Sequence, residues 1–158
     1  MNHREKARDL FIEGYNCSQA VVAAYCDVTG LDFETSLKIS SSFGAGMGKM
    51  RSVCGAVTGM FIVAGLLYGN TECDTASKEK HYTLIQQMAQ RFKDEHGTIV
   101  CMELLRNLKT DTTPKPDERT EDYYKVRPCV RFVESACDIL DDIIKGCKNS
   151  PDRKKAAI

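Results

Sequence analysis

A segment without any charged side chain, from Ser52 to Thr71, constrains the fold of this chain more than any other part of the sequence. Its length is about that of a transmembrane helix, which needs roughly 20 apolar residues. Four glycines interrupt the segment, at positions 55, 59, 65 and 69, and no second segment of this kind follows. We therefore expect a buried central helix in a helical bundle and no membrane span.

The glycines of this segment form two pairs, Gly55 with Gly59 and Gly65 with Gly69. Residues four apart lie on the same face of a helix, and a face without side chains lets a neighbouring helix approach closely. We expect each pair to mark such a contact. Within the sequence CGAVTG, which begins at Cys54, Gly55 and Gly59 are also candidate cofactor-binding positions.

Apolar residues recur with helical spacing along almost the whole chain, and no alternating run typical of strands competes with them. The sequence predicts an all-α fold, a single-domain bundle of about six to seven helices around an apolar, glycine-containing central helix. The predicted helices cover about residues 2–13, 16–28, 32–43, 52–68, 75–95, 98–108 and 128–145. The domain is expected to span residues 1–147, followed by a basic tail over residues 148–158.

A polar stretch from Thr110 to Tyr124 separates the last two predicted helices and contains Pro114 and Pro116. Proline removes a backbone donor and disfavours a helix interior, so the stretch is predicted to be a loop. It is either a solvated connection or a lid over a functional site.

The chain has 158 residues and eight cysteines, about 5% of its length, below the ~8–10% typical of a short secreted disulfide framework. A chain of this size buries about 68–70% of its unfolded surface, so it needs no disulfides in order to fold. The first residues, MNHREKARDLF, are charged and lack the apolar region of a signal peptide. We expect a cytoplasmic protein, in which thiols bind metals, act in catalysis or are simply buried.

The charges of the chain balance, with 22 Lys and Arg against 22 Asp and Glu. Proteins that bind nucleic acids usually carry a basic patch or a high net positive charge. The sequence therefore argues against a nucleic acid as partner.

Four cysteines fall in the first turn of four separate predicted helices, namely Cys17, Cys54, Cys101 and Cys129. Each also lies on the apolar stripe of its helix, so their side chains are expected to point inward and could converge. A helix N-terminus carries roughly half a positive charge and lowers the pKa of a thiol, which favours the thiolate. Because the thiolate is both the nucleophile and the metal ligand, these four are candidate catalytic and metal-binding residues. The alternative is that they fill core positions as small apolar side chains.

The remaining cysteines share no such pattern. Cys26 lies off the core face of its helix, Cys137 is mid-helix on the core stripe, and Cys73 and Cys147 fall in loop or end positions. Structural or incidental roles are predicted for them, although Cys73 could be an exposed reactive thiol. No two cysteines have the Cys-x-x-Cys spacing typical of zinc ribbons and thioredoxin-type dithiols.

A glycine-rich segment, GAGMGK at residues 44–49, precedes the central helix. It is not a Walker A loop, because Phe43 occupies the position of the first glycine and Met50 follows Lys49. Two interpretations stay open. The segment is a flexible turn into the helix of Cys54, or a nest of backbone N–H groups beside the cysteines.

The cysteine pattern resembles a known family. The sequence CGAVTG at residues 54–59, preceded by YNCSQA at residues 15–20 and followed by isolated Cys101 and Cys129, is similar to the C_GCAxxG_C_C family of small bacterial redox-active proteins. The similarity covers about residues 5–140. One departure is that Val53 precedes the second cysteine where the family name has glycine, and Gly55 follows it. The resemblance implies that Cys17, Cys54, Cys101 and Cys129 are the functional set.

Two classes of function remain. In the first, a redox-active protein uses the four cysteines for thiol/disulfide exchange, with Cys54 attacking and Cys17 or Cys101 resolving, or for holding an iron–sulfur cluster, zinc or another metal centre. In the second, a non-catalytic helical binding module has a structural zinc site or purely structural cysteines. The expected partner is a redox protein or a transporter-associated protein, and the chain could form a homo-oligomer.

Overall fold

The fold is described by a computed structural model over residues 2–148, so the predicted tail lies outside the described residues apart from the backbone of Lys148. The helices are α1 (His3–Glu13), α2 (Cys17–Ala24), α3 (Cys26–Thr29), α4 (Phe33–Ser40), α5 (Gly44–Met47), α6 (Gly55–Tyr68), α7 (Thr75–His96), α8 (Cys101–Leu104), α9 (Glu121–Val126) and α10 (Cys129–Lys148). A 3₁₀ turn, Ser41–Phe43, joins α4 to α5. Within residues 2–148 there is no strand, and six of the helices have eight or more residues. The predicted all-α, single-domain bundle is confirmed.

Helix α6 is the central helix, packed between α2, α7 and α10. Seven of its residues are buried: Gly55, Ala56, Val57, Gly59, Met60, Val63 and Ala64. With 14 residues, α6 rises about 21 Å, less than the ~30 Å of a bilayer core. None of the helices in the described range is long and apolar enough to cross a membrane.

The two glycine pairs of α6 differ in what they do. A Cβ atom added at Gly59 would lie 3.0 Å from the backbone oxygen of Ser18, so the bare backbone there lets α2 pack closely. Gly55 also faces α2 closely, at Cys17. A Cβ atom at Gly65 would meet nothing within 4 Å, and Gly69 lies just beyond the end of α6. The predicted close contact is confirmed for the first pair and wrong for the second.

Capping side chains set the start of α2, which carries Cys17. The side chain of Asn16 accepts a hydrogen bond from the backbone N–H of Gln19, and the Gln19 side chain accepts one from the N–H of Asn16. This reciprocal pair satisfies two free donors at the start of α2, as the sequence predicts. The predicted helix of residues 16–28 is interrupted at Tyr25, whose fully buried hydroxyl donates to the carbonyl oxygen of Cys137 at 2.9 Å.

Two other predicted boundaries are wrong. The predicted helix of residues 98–108 is reduced to α8, four residues long. It starts at Cys101 because the chain before it pairs with the segment that leads into α6. The predicted loop of residues 110–124 ends early, since Thr120 accepts a hydrogen bond from the N–H of Tyr123 and caps α9.

Candidate functional site

A cavity of about 270 Å³ lies where α2, α6, α8 and α10 begin, and we call it the cysteine cavity. All four cysteines predicted as functional line it: Cys17, Cys54, Cys101 and Cys129. Cys17, Cys101 and Cys129 are the first residues of their helices, and Cys54 is the N-cap of α6. The structure thus brings together residues that are as much as 112 positions apart in sequence.

A short backbone pairing places Cys54 next to Cys101. Val53 and Val100 form an isolated antiparallel bridge. The N–H of Cys54 donates to the carbonyl oxygen of Ile99 at 2.8 Å, and the N–H of Cys101 donates to that of Ser52 at 2.6 Å. These bonds fix the starts of α6 and α8 against each other, so the position of Cys101 does not depend on the four-residue α8 alone.

Glycines give the sulfur atoms their space. A Cβ atom added at Gly55 would overlap the Sγ of Cys17 and lie 2.8 Å from the backbone oxygen of Phe43. A Cβ atom at Gly46 would lie 2.7 Å from the Cβ of Cys101. Of the two candidate cofactor-binding glycines, Gly55 lines the cavity, whereas Gly59 packs against α2.

The glycine-rich segment forms a left-handed turn on one side of the cavity. Positive φ angles occur at Ala45 (53°), Gly46 (76°), Met47 (66°), Gly48 (62°) and Lys49 (66°). The N–H of Lys49 donates to the carbonyl oxygen of Gly44 at 3.3 Å, so this donor is used inside the turn. The segment lies beside the cysteines, which is the position expected for a nest of backbone N–H groups. Left-handed conformation costs roughly 1–2 kcal/mol for each residue with a Cβ, and strain of this kind clusters at functional sites.

Three buried cations around the cavity converge on one carboxylate. Lys49 Nζ lies 3.3 Å from Asp117 Oδ1. Arg51 Nη2 and Arg127 Nη2 lie 3.1 Å and 3.0 Å from Asp117 Oδ2. Burial alone would raise the pKa of Asp117, but the charge of Arg127 and the hydrogen bonds from Arg51 and Lys49 lower it below its usual value. Asp117 is therefore ionised at neutral pH.

A second group of contacts holds Arg119 and Arg127 at the cavity wall. The guanidinium of Arg119 lies over the ring of Phe11, 4.5 Å from its centre, and over the ring of Tyr123 at 4.8 Å. Arg127 lies 4.8 Å from the centre of the same Tyr123 ring. Cation–π contacts of this kind are stronger where water is excluded. The lining of the cavity therefore combines four cations, including Lys49 and Arg51, with one carboxylate.

Burial sets the protonation state of the cavity thiols. It raises the pKa of Cys54 well above its usual value, raises that of Cys101, and raises that of Cys129 to about 12. Hydrogen bonds from the N–H groups of Ala56 and Val57 lower the pKa of Cys54, as expected at a helix start, but desolvation outweighs them. The expectation that a helix N-terminus would lower the pKa is wrong for these three cysteines.

One charged side chain contacts a cavity sulfur. Arg51 Nη1 lies 4.0 Å from Cys101 Sγ, and this contact opposes the effect of burial on the pKa of that thiol. Arg51 is itself almost completely buried. Lys49, Arg51, Asp117 and Arg127 were not among the residues predicted from the sequence. Lys49 and Arg51 are the two charged residues between Lys38 and Glu72, which could have drawn attention to them, but nothing local marks Asp117.

The other four cysteines lie outside the cavity. Cys26 Sγ lies 3.3 Å from Ser36 Oγ, and Cys73 is exposed. Cys137 is buried in the core near Tyr25, and Cys147 is half-buried at the end of α10. The four cysteines singled out from the sequence therefore line the cavity, and the other four do not.

Comparison with known proteins gives a family match. A family model described as "Putative redox-active protein (C_GCAxxG_C_C)" matches residues 15–143. No curated protein and no solved structure shows a significant match to the chain. Since the family model matches most of the chain, the protein belongs to the C_GCAxxG_C_C family of redox-active proteins.

Proposed function

We propose that Cys17, Cys54, Cys101 and Cys129 hold an iron–sulfur cluster in the cysteine cavity and that the protein transfers electrons through it. The observation that carries this proposal is that four helix starts, distant in sequence, each deliver one cysteine to the same cavity. Four cysteine thiolates are the usual ligand set of [2Fe–2S] and [4Fe–4S] clusters. When bound, such a cluster supplies a one-electron redox couple.

The site has room for a polynuclear centre. The four cysteines line a cavity of about 270 Å³. Gly46 and Gly55 lie against two of them, where a Cβ atom would clash. As the side chains stand among residues 2–148, no group of three or more His, Cys, Asp or Glu is arranged to hold a metal ion, so binding a cluster would require the sulfur atoms to shift.

The charge of the cavity also suits an anionic centre. Lys49, Arg51, Arg119 and Arg127 line it, with Asp117 as the carboxylate among the lining residues. Four thiolates carry four negative charges, and nearby cations stabilise negative charge most strongly where water is excluded. The surrounding protein would therefore offset the charge of the ligands.

The protonation of the thiols fits a ligand role better than a nucleophilic one. Because burial raises the pKa of Cys54, Cys101 and Cys129, these residues are thiols at neutral pH when nothing is bound. A thiol is a poor nucleophile, whereas metal coordination removes its proton. Binding of the centre would release protons, so its affinity would increase with pH.

Thiol/disulfide exchange is the second candidate. It is favoured by the contact between Arg51 and Cys101, which stabilises a thiolate at that position, and by the half-buried position of Cys17. On this alternative Cys101, with its cationic neighbour, is a better attacking residue than the more deeply buried Cys54.

Anaerobic preparation of the protein with iron and sulfide tests the proposal. We expect a brown protein with a visible charge-transfer band and stoichiometric iron and sulfide. Serine substitution of each cavity cysteine should weaken or abolish the band, whereas Cys26→Ser and Cys73→Ser, as matched controls, should leave it unchanged. A colourless protein after reconstitution, or equal loss in the control variants, would contradict the cluster. A reversible disulfide between two cavity cysteines, mapped by mass spectrometry in that colourless protein, would support the second candidate.

A further inference from the structure

One wall of the cysteine cavity is a loop, residues 109–120, which we call the cover loop. It connects the chain after α8 to α9, and Pro114, Pro116, Asp117 and Arg119 line the cavity. Its sequence, KTDTTPKPDERT, contains no aliphatic or aromatic side chain apart from the two prolines. The cover loop therefore has almost no apolar surface with which to pack against the bundle.

Ionic contacts hold most of the cover loop in place, and Arg119 near its end lies over the rings of Phe11 and Tyr123. Asp117 accepts from Lys49, Arg51 and Arg127 at 3.0–3.3 Å. Asp111 lies 3.1 Å from Lys49 Nζ, and its backbone oxygen accepts from Arg51 Nε at 3.0 Å. Lys49 also donates to the backbone oxygen of Lys115.

The two sides of these contacts differ in burial. The side chains of Lys49, Arg51 and Arg127 are 7%, 1% and 10% exposed. They belong to the left-handed turn, the segment before α6 and the junction between α9 and α10. Asp117 is 26% exposed and Asp111 is 54% exposed. The cations are thus built into the bundle, and the carboxylates belong to a loop that water reaches.

We propose that the cover loop is a gate over the cysteine cavity and that Asp117 is its latch. While Asp117 binds the three cations, the loop shields Cys54 and Cys101. When those contacts break, water solvates the carboxylate, and the loop up to residue 118 moves away while Arg119 stays over the rings of Phe11 and Tyr123. Local opening of this kind occurs in segments with few buried apolar contacts. The gate controls access to the cysteines whether or not they hold a cluster, so this inference does not depend on the proposed function.

Alkylation of individual cysteines measures the opening. The reduced protein is treated with iodoacetamide, and the modification rate of each cysteine is followed by peptide mass spectrometry. We expect Asp117→Asn to increase the rates at Cys54 and Cys101 at least about tenfold, because removing one partner of buried ion pairs is strongly destabilising. Asp111→Asn should give a smaller increase, because the contact that it removes is more exposed to solvent. Asp122→Asn, with the same change of charge in α9, should give none.

Cys137 and Cys73 are internal controls in the same experiment. Cys137 is buried in the core away from the cavity, and Cys73 is exposed, so neither rate should change. An equal rise at Cys137 would show global unfolding and contradict the gate for that variant. Unchanged rates at Cys54 and Cys101 in both Asp117→Asn and Asp111→Asn would overturn the proposal.

Hydrogen exchange provides a readout that does not require free thiols. Amides of residues 109–120 should exchange faster in Asp111→Asn and Asp117→Asn than in the wild type, while amides of α6 keep their protection. Faster exchange throughout the bundle, or none in the cover loop, would contradict a local gate. Iron content is measured separately in each sample and reports on the cluster. Faster exchange confined to the cover loop would therefore support the gate even in a protein that holds no iron.

Discussion

The guanidinium of Arg51 contacts the Sγ of Cys101 at 4.0 Å and the carboxylate of Asp117 at 3.1 Å. One buried cation therefore joins a cavity cysteine to the cover loop. Its backbone has a positive φ of 59°, which is costly for a residue with a side chain. With this backbone conformation the guanidinium lies between the sulfur and the carboxylate.

Replacing Arg51 by methionine should raise the pKa of the Cys101 thiol further. The cation opposes the effect of burial, and methionine keeps a flexible, unbranched side chain without the charge. The rate of alkylation of Cys101, measured against pH, should titrate at a higher pH than in the wild type. Arg106→Met, an exposed position after α8, is the control and should leave that titration unchanged. An unshifted midpoint in Arg51→Met would show that the contact has no electrostatic effect.

Gly55→Ala should destabilise the protein, whereas Gly65→Ala in the same helix should not. A methyl group at Gly55 meets Cys17 Sγ and the backbone of Phe43, and such overpacking costs about 1–3 kcal/mol of unfolding free energy. At Gly65 the space is open, and alanine gains up to about 1 kcal/mol from its helix propensity. Urea denaturation measures both. Similar effects at the two positions would mean that the close approach of α2 is not what Gly55 provides.

Ala45→Gly should stabilise the left-handed turn. Ala45 has φ 53° and ψ 36°, a conformation that glycine adopts without the steric cost of a Cβ atom. The free energy of unfolding should rise by up to about 1 kcal/mol. Ala64→Gly, at a buried position of α6, should lower it instead. A loss of stability in Ala45→Gly would show that its methyl group packs usefully at the cavity wall.

Stability should fall as the pH rises above about 8.5, the usual pKa of a thiol. Burial raises the folded-state pKa of Cys54, Cys101, Cys129 and Cys137. Above that pH the unfolded chain loses protons that the folded chain retains, so each thiol reduces stability by up to about 1.4 kcal/mol per pH unit. Urea midpoints across this pH range, with a reductant present, measure the slope.

Cys137→Ala isolates one of these thiols in a part of the core away from the cavity. Above the usual pKa of a thiol, the unfolding free energy should then fall less steeply with pH. The difference in slope is about 1.4 kcal/mol per pH unit, the contribution of one proton. Cys73→Ala changes an exposed cysteine and should leave the slope as it is. If both variants kept the wild-type slope, burial of Cys137 would not be the source of the alkaline instability.

Local patterns predicted much of the fold. The spacing of apolar residues located the long helices, and Asn16 with Gln19 marked the start of α2, because caps depend on residues only a few positions apart. The same patterns failed at α8, where long-range backbone pairing with the segment before α6 took over from helix propensity.

Local sequence patterns predicted which four cysteines would lie together in the fold. Cys17, Cys54, Cys101 and Cys129 share a position at a helix start on an apolar stripe, and both properties are local. The protonation state of those thiols depends on the folded structure. Their pKa values depend on desolvation, and desolvation depends on the elements that close over the cavity. Asp117 acquires its role in the same way, since the three cations that bind it come from positions 49, 51 and 127 and meet only in the folded chain.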